Sequence, residues 1–149
     1  MNKDGFYKVL LIIVCLCLPI LGCRHSRNRV CFESDCVNVA IAQTQEERSQ
    51  GLQNRKALAD DAGMLFIFPR NGKHRFWMKD TLIPLDMLWI DRYQTVVDIQ
   101  HGAVPCRAQP CQIYAPDQAA LYVLEVNAGY AREHGIKVGE RADFDIRFD

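Results

Sequence analysis

Apolar and polar positions alternate most clearly at two places. Val37, Val39 and Ile41 alternate with Asn38, Ala40 and Ala42, and near the chain end Phe144, Ile146 and Phe148 alternate with Asp143, Asp145 and Arg147. A period of two predicts strands with one buried face. Between them, Met64–Phe68 is wholly apolar and His74–Met78, Leu85–Ile90, Thr95–Gln100 and Ala120–Val126 are strand-like runs, the last placing Tyr122, Leu124 and Val126 on one face. Turn residues separate these runs. Asn71-Gly72 is the strongest hairpin signal and predicts that residues 74–78 fold back on residues 64–68. Two stretches obey helical rules instead. Thr44-Gln45-Glu46-Glu47 is a capping box, predicting a helix to about Asn54 with Arg55 near its end. Asn127 is placed to cap a short helix over residues 128–134, which Gly135 ends. About eight short strands and two short helices predict a mainly β domain, a β-sandwich or barrel.

One segment breaks the rhythm. Residues 103–119 hold Pro105, Pro110 and Pro116 without clean periodicity, and a loop of that length in a compact domain is usually functional or mobile. The stretch from Phe76 to Ile90 contains both tryptophans, Trp77 and Trp89, and two carboxylates, Asp80 and Asp86, around an apolar bend at Pro84. Aromatic side chains beside a few fixed polar groups suit a ligand pocket; they suit a core equally.

The N-terminus changes the picture by setting a compartment. Lys3 and Lys8 precede an apolar run, Val9–Leu18, too short to span a bilayer and suited to a signal-peptide core. Ile20-Leu21-Gly22-Cys23 then resembles a bacterial lipoprotein processing site. Residues 1–22 are expected to be removed, Cys23 to be acylated, and residues 23–30 to tether a single domain, residues 31–149, to a membrane on the periplasmic side of the cell envelope. Of seven cysteines, Cys15 and Cys17 would leave with the signal and Cys23 would carry lipid. Cys31, Cys36, Cys106 and Cys111 remain. Four cysteines allow three pairings; Cys31–Cys36 and Cys106–Cys111 are favoured, each pair being close in sequence and beside turn residues. With 18 basic and 18 acidic residues, the chain has no field that would draw nucleic acid.

Chemical motifs are sparse. There is no His-Glu-x-x-His pattern, no Gly-x-Ser-x-Gly elbow and no glycine-rich phosphate loop. The spacing of Cys106 and Cys111 beside His101 is loose for zinc. No metal and no cofactor are expected.

Glu47-Arg48, Gly51-Leu52, Arg55, Gly63-Met64-Leu65-Phe66, Phe76-Trp77-Met78-Lys79, Thr81, Pro84-Leu85-Asp86, Val104-Pro105-Cys106 with Cys111, and Leu124-Glu125-Val126-Asn127-Ala128-Gly129 followed by His134-Gly135-Ile136-Lys137-Val138-Gly139 together resemble the domain of unknown function 192 family. The resemblance runs from about Val37 to Ile146. It implies an all-β, jelly-roll-like domain, often exported, and brings no established activity. Asp80 stands where the family usually has asparagine, and Gln53 where it usually has methionine.

The residues expected to surround a ligand are Arg55, Trp77, Met78, Asp80, Thr81 and Asp86, near the 103–119 loop. The leading expectation is an exported, lipid-anchored domain that binds a small molecule, glycan or protein partner of the envelope. A hydrolase using Asp86 with Asp80 or Glu125 as acid and base is the alternative. A structural or assembly factor without a pocket is the third.

Overall fold

The computed structural model describes residues 28–33 and 35–147. The expected signal segment, Cys23 and Phe148 lie outside them. Nine strands and two short helices are present among the described residues, arranged as a strongly curled sheet that forms a half-barrel. In chain order the strands are β1 (Arg29–Cys31), β2 (Cys36–Ala42), β3 (Ala62–Gly72), β4 (Phe76–Trp77), β5 (Leu85–Ile90), β6 (Val96–Ala103), β7 (Ile113–Tyr114), β8 (Ala120–Asn127) and β9 (Asp143–Asp145). The helices are α1 (Gln45–Gln50) and α2 (Tyr130–Glu133). Seven strands form one sheet in the order β6-β5-β8-β3-β2-β1-β9, and β4 pairs only with β7. All pairings in the large sheet are antiparallel except β2 with β3.

The curl follows from how the chain closes. Residues 139–142 hydrogen-bond along the start of β6, through Gly139 N to Val96 O, Val96 N to Glu140 O and Ala142 N to Gln94 O. The next three residues pair with β1 at the opposite edge of the sheet. Consecutive residues thus bind both edges, which a flat sheet of seven strands does not permit.

Both faces of the central strands are covered. Leu65, Leu88, Ile90, Leu124 and Val126 face one core with Val30, Val37, Tyr130 and Ala131. Met64, Phe66, Met87, Trp89 and Val123 face a second, closed over by Leu52, Met78 and Tyr114. Alternate residues of a strand point to opposite faces, so β5, buried at every position, serves both cores. That explains its unbroken apolar run around Asp86. Gly63 is fixed by the same closeness: a Cβ there would stand 2.7 Å from the Glu125 carbonyl of β8.

Local expectations met different fates. The capping box forms, with the Thr44 hydroxyl accepting from Glu47 N and the Glu47 carboxylate accepting from Thr44 N. The helix stops at Gly51, at φ 47°, before reaching Arg55. Both disulfides, Cys31–Cys36 and Cys106–Cys111, are present; the first closes the β1–β2 hairpin, where Arg29 and Val30 of the expected tether already belong to the sheet. The Asn71-Gly72 hairpin does not form. β3 carries β2 on one edge and β8 on the other, so no edge is left for β4, which pairs with β7 inside the proline-rich segment.

Nor does Asn127 cap α2. It ends β8, opposite Leu85, and its side-chain amide donates to the Leu58 and Ala59 carbonyls, 3.1 Å each. Asp86 does the capping from β5: Oδ2 accepts from Gly129 N at 3.1 Å and Ala131 N at 3.0 Å, and Oδ1 from Gly102 N at 2.8 Å. A fully buried carboxylate with three amide donors joins β5, β6 and α2. Each amide left buried without a partner costs about 1–3 kcal/mol. Asp86→Ala is therefore expected to destabilise the domain by about 3 kcal/mol or more, read from urea unfolding midpoints; a loss below about 1 kcal/mol would contradict this role.

Candidate functional site

A cavity of about 350 Å³ lies between α1 and β4. α1 contributes Gln45, Arg48, Ser49 and Gln50, and the turn after it Gly51, Leu52 and Gln53. Phe66 and Phe68 of β3 form one wall; Arg75, Phe76, Trp77 and Lys79 form another, with Thr81 beyond them and Glu125 reaching in from β8. The volume falls within the range of small-molecule sites, about 300–1,000 Å³.

The walls hold their shape through ring packing. Phe76 meets Phe66 edge to face at 5.0 Å and Trp89 at 6.2 Å, and the Trp89 indole N–H donates to the His74 carbonyl at 3.0 Å. Trp77 is different: it is 52 % exposed, on a strand of only two residues. Its neighbour Met78 turns the other way into the core, and the Met78 carbonyl accepts from Cys106 N at 3.1 Å. The disulfide-bonded loop is thereby tied to the strand that carries Trp77.

Glu125 is the unusual group. It is 5 % exposed and lies in register between Met64 and Met87. Among the described residues, no hydrogen bond or ion pair reaches its carboxyl group. Burial alone pushes its pKa up from 4.5 to about 8, so near pH 7 it is mostly a neutral acid with an O–H to donate. Cations stand nearby at the mouth. The Arg48 guanidinium donates to the Ile67 carbonyl at 3.0 Å and to the Gln43 carbonyl, and covers the Phe68 ring at 5.2 Å. Lys79 Nζ lies 6.0 Å from the Trp77 ring centre. Arg75 is exposed, and no contact ties its side chain down among the described residues.

Of the residues expected around a ligand, the structure brings Trp77 and Thr81 into this cavity. Asp80 is exposed, at φ 56°, and its carbonyl accepts from Asn54 N at 2.7 Å, pinning the turn after α1. Asp and Asn are the side chains that tolerate this left-handed conformation best after glycine. Arg55 does not line this cavity; it lines two smaller hollows beside β2 and β3. Met78 lines a separate hollow under residues 104–114. Asp86 is sealed inside, with His101 Nδ1 3.7 Å from its Oδ2. Met87 pairs with Glu125 and Asp86 with Val126, so Asp86 and Glu125 point to opposite faces of the sheet. They do not converge on one bond. Among the described residues no cluster of three or more metal-ligating side chains occurs.

Arg48, Phe76 and Lys79 stand in the sequence only as parts of the family motifs and Arg75 in none, and none of the four is expected at the site from sequence. The signal for Glu125 was present: a lone acid inside the apolar strand Leu121–Val126, where both faces are covered. A charge in such a run is either paired or functional.

Over residues 29–144 the chain matches the family model DUF192, described as Uncharacterized ACR. A UPF0127 protein of Thermococcus gammatolerans is 26 % identical over 114 residues, covering 73 % of this chain and 67 % of that one. A UPF0127 protein of Pyrococcus abyssi is 29 % identical over 86 residues, covering 54 % and 66 %. The chain thus spans about two thirds of the length of these relatives. Among solved structures, a Sinorhizobium meliloti protein described as a candidate transcription regulator superposes with a TM-score of 0.71 at 35 % identity, covering 78 % of this chain and 91 % of that one. A Novosphingobium aromaticivorans protein of unknown function superposes with the same score at 31 % identity, covering 78 % and 82 %. With the family model spanning most of its length and the motifs from Gly63 to Gly139 in order, the chain belongs to the DUF192 family.

Proposed function

We propose that this protein is an exported, lipid-anchored domain of the bacterial cell envelope that binds a small molecule in the cavity between α1 and β4. The observation that carries the binding reading is Glu125. A carboxyl group buried without a donor or a cation is costly, and a packed domain could avoid that cost with a methionine or leucine at the same place. Stability given up inside a cavity is the usual mark of a binding or catalytic site. Trp77, exposed on the rim beside Phe76, offers a flat apolar surface to a ligand body. A neutral acid at the floor can donate one hydrogen bond and accept another.

The anchoring reading is supported by the sequence alone. Lys3 and Lys8, the apolar run Val9–Leu18, and Ile20-Leu21-Gly22-Cys23 follow one another as a lipoprotein signal does. Two disulfides suit an oxidising compartment.

Three outcomes are expected. Because the folded pKa of Glu125 lies above its ordinary 4.5, at about 8, the native state holds a proton that the unfolded chain releases between those values. Its stabilising effect is complete below about pH 4.5 and lost as pH rises to about 8. Relative to wild type, Glu125→Gln should therefore gain stability steadily across that window, with a slope approaching about 1.4 kcal/mol per pH unit. Denaturant titrations at pH 5 and pH 8.5 measure it, and a constant difference would show that Glu125 is not neutral in the fold. Second, a thermal-shift screen of small metabolites and short glycans should find a stabilising compound for wild type, by about 2.7 kcal/mol at a hundredfold excess over Kd. The same compound should leave Trp77→Ala unmoved; a compound that stabilises both equally binds elsewhere. Third, Cys23→Ser expressed from the full chain should move from the membrane to the soluble fraction. A wild-type mature mass without acyl chains on Cys23 would rule the anchor out.

A further inference from the structure

We propose that the ligand of this cavity is a small organic anion, a carboxylate or phosphate on a planar apolar body, whose charged end meets Arg75 and Lys79 at the rim and whose body lies along Trp77 and Phe76. The proposal rests on the reading of the cavity as a binding site and adds the chemical class.

The charges around the cavity argue for it. Three cations line the cavity, Arg48, Arg75 and Lys79, against a single acid, Glu125. The chain as a whole is balanced, with 18 of each sign, so this excess is local. Arg48 is occupied in holding the chain around β3, through the Ile67 and Gln43 carbonyls. Arg75 is not occupied: among the described residues no carboxylate or carbonyl takes its guanidinium. Among the described residues the Lys79 ammonium meets only the face of Trp77. Two cations facing a cavity without partners raise the local concentration of anions and steer them in. A guanidinium in addition offers a planar fork that fits carboxylate and phosphate oxygens.

The alternatives fit less well. An amine would face all three cations, and the only acid that could answer it lies at the apolar floor, flanked by Met64 and Met87. Charging Glu125 there means desolvating a carboxylate. A neutral sugar would use Trp77 but leave Arg75 and Lys79 without a role. An anion with an apolar body uses each part: head at the solvated rim, body against the rings, and a hydrogen bond from Glu125 to any oxygen that reaches the floor.

Isothermal titration calorimetry on the full mature chain in detergent, with phenyl phosphate, phenylacetate, benzyl alcohol, benzylamine and inorganic phosphate, tests the proposal. Phenyl phosphate or phenylacetate should bind about tenfold or more tightly than benzyl alcohol, benzylamine or inorganic phosphate. Arg75→Ala combined with Lys79→Ala should remove about a tenfold share of that affinity. Both side chains are exposed, so the double variant should unfold at the wild-type midpoint. Equal binding of benzyl alcohol or benzylamine, with loss in Trp77→Ala, would overturn the anion and leave the cavity standing. Inorganic phosphate binding as tightly as phenyl phosphate would overturn the apolar body. Heat from none of the probes would overturn this proposal; a metabolite screen that likewise stabilises wild type with nothing would overturn the cavity as well.

Discussion

The structure depends on alternation in its two central strands, where neighbouring residues cannot share an environment. β5 and β8 lie side by side in the middle of a sheet covered on both faces, so every step along either strand changes cores. The two acids of this pair have opposite fates for that reason alone. Asp86 points to the face where α2 ends a loop, and three backbone amides converge on it. Glu125 points to the other face, between two methionines, where no donor waits. One is a fastening of the fold; the other is a cost the fold carries next to the cavity between α1 and β4.

What the sequence disclosed, it disclosed where local rules suffice. The Thr44–Glu47 box needs only four residues, and it forms. The alternation in β2 and the apolar runs of β5 and β8 were legible because burial leaves a period in the chain. The short disulfide loops were legible because sequence closeness limits the choices. The misreadings came where a distant strand decided the outcome. Asn71-Gly72 is a good turn, but β8 occupies the edge that a hairpin partner would need. Asn127 is a good cap, but a strand forty residues earlier supplies Asp86 in its place.

The candidate site was legible in part, for the same reason. Trp77 stands out as one of two tryptophans and Thr81 through the family resemblance, and both line the cavity. Asp86 stood out equally and is sealed in the interior, since sequence does not reveal which face of a strand receives amide donors. Arg75, Lys79 and Arg48 read as ordinary surface charges until the fold sets them around one opening. Gln53 is a further case: it lines the cavity and donates to the Ser49 carbonyl at 3.0 Å.

The contrast between the two tryptophans has a spectroscopic consequence. Trp89 is 1 % exposed with its indole N–H bonded to a carbonyl, while Trp77 stands half in water on the cavity rim. Indoles in such different surroundings emit at different wavelengths, so the protein carries two built-in fluorescent reporters. The blue-shifted component follows the integrity of the core, and the red-shifted one follows what happens at the opening. Occupancy and unfolding can thus be recorded in one cuvette, without a label.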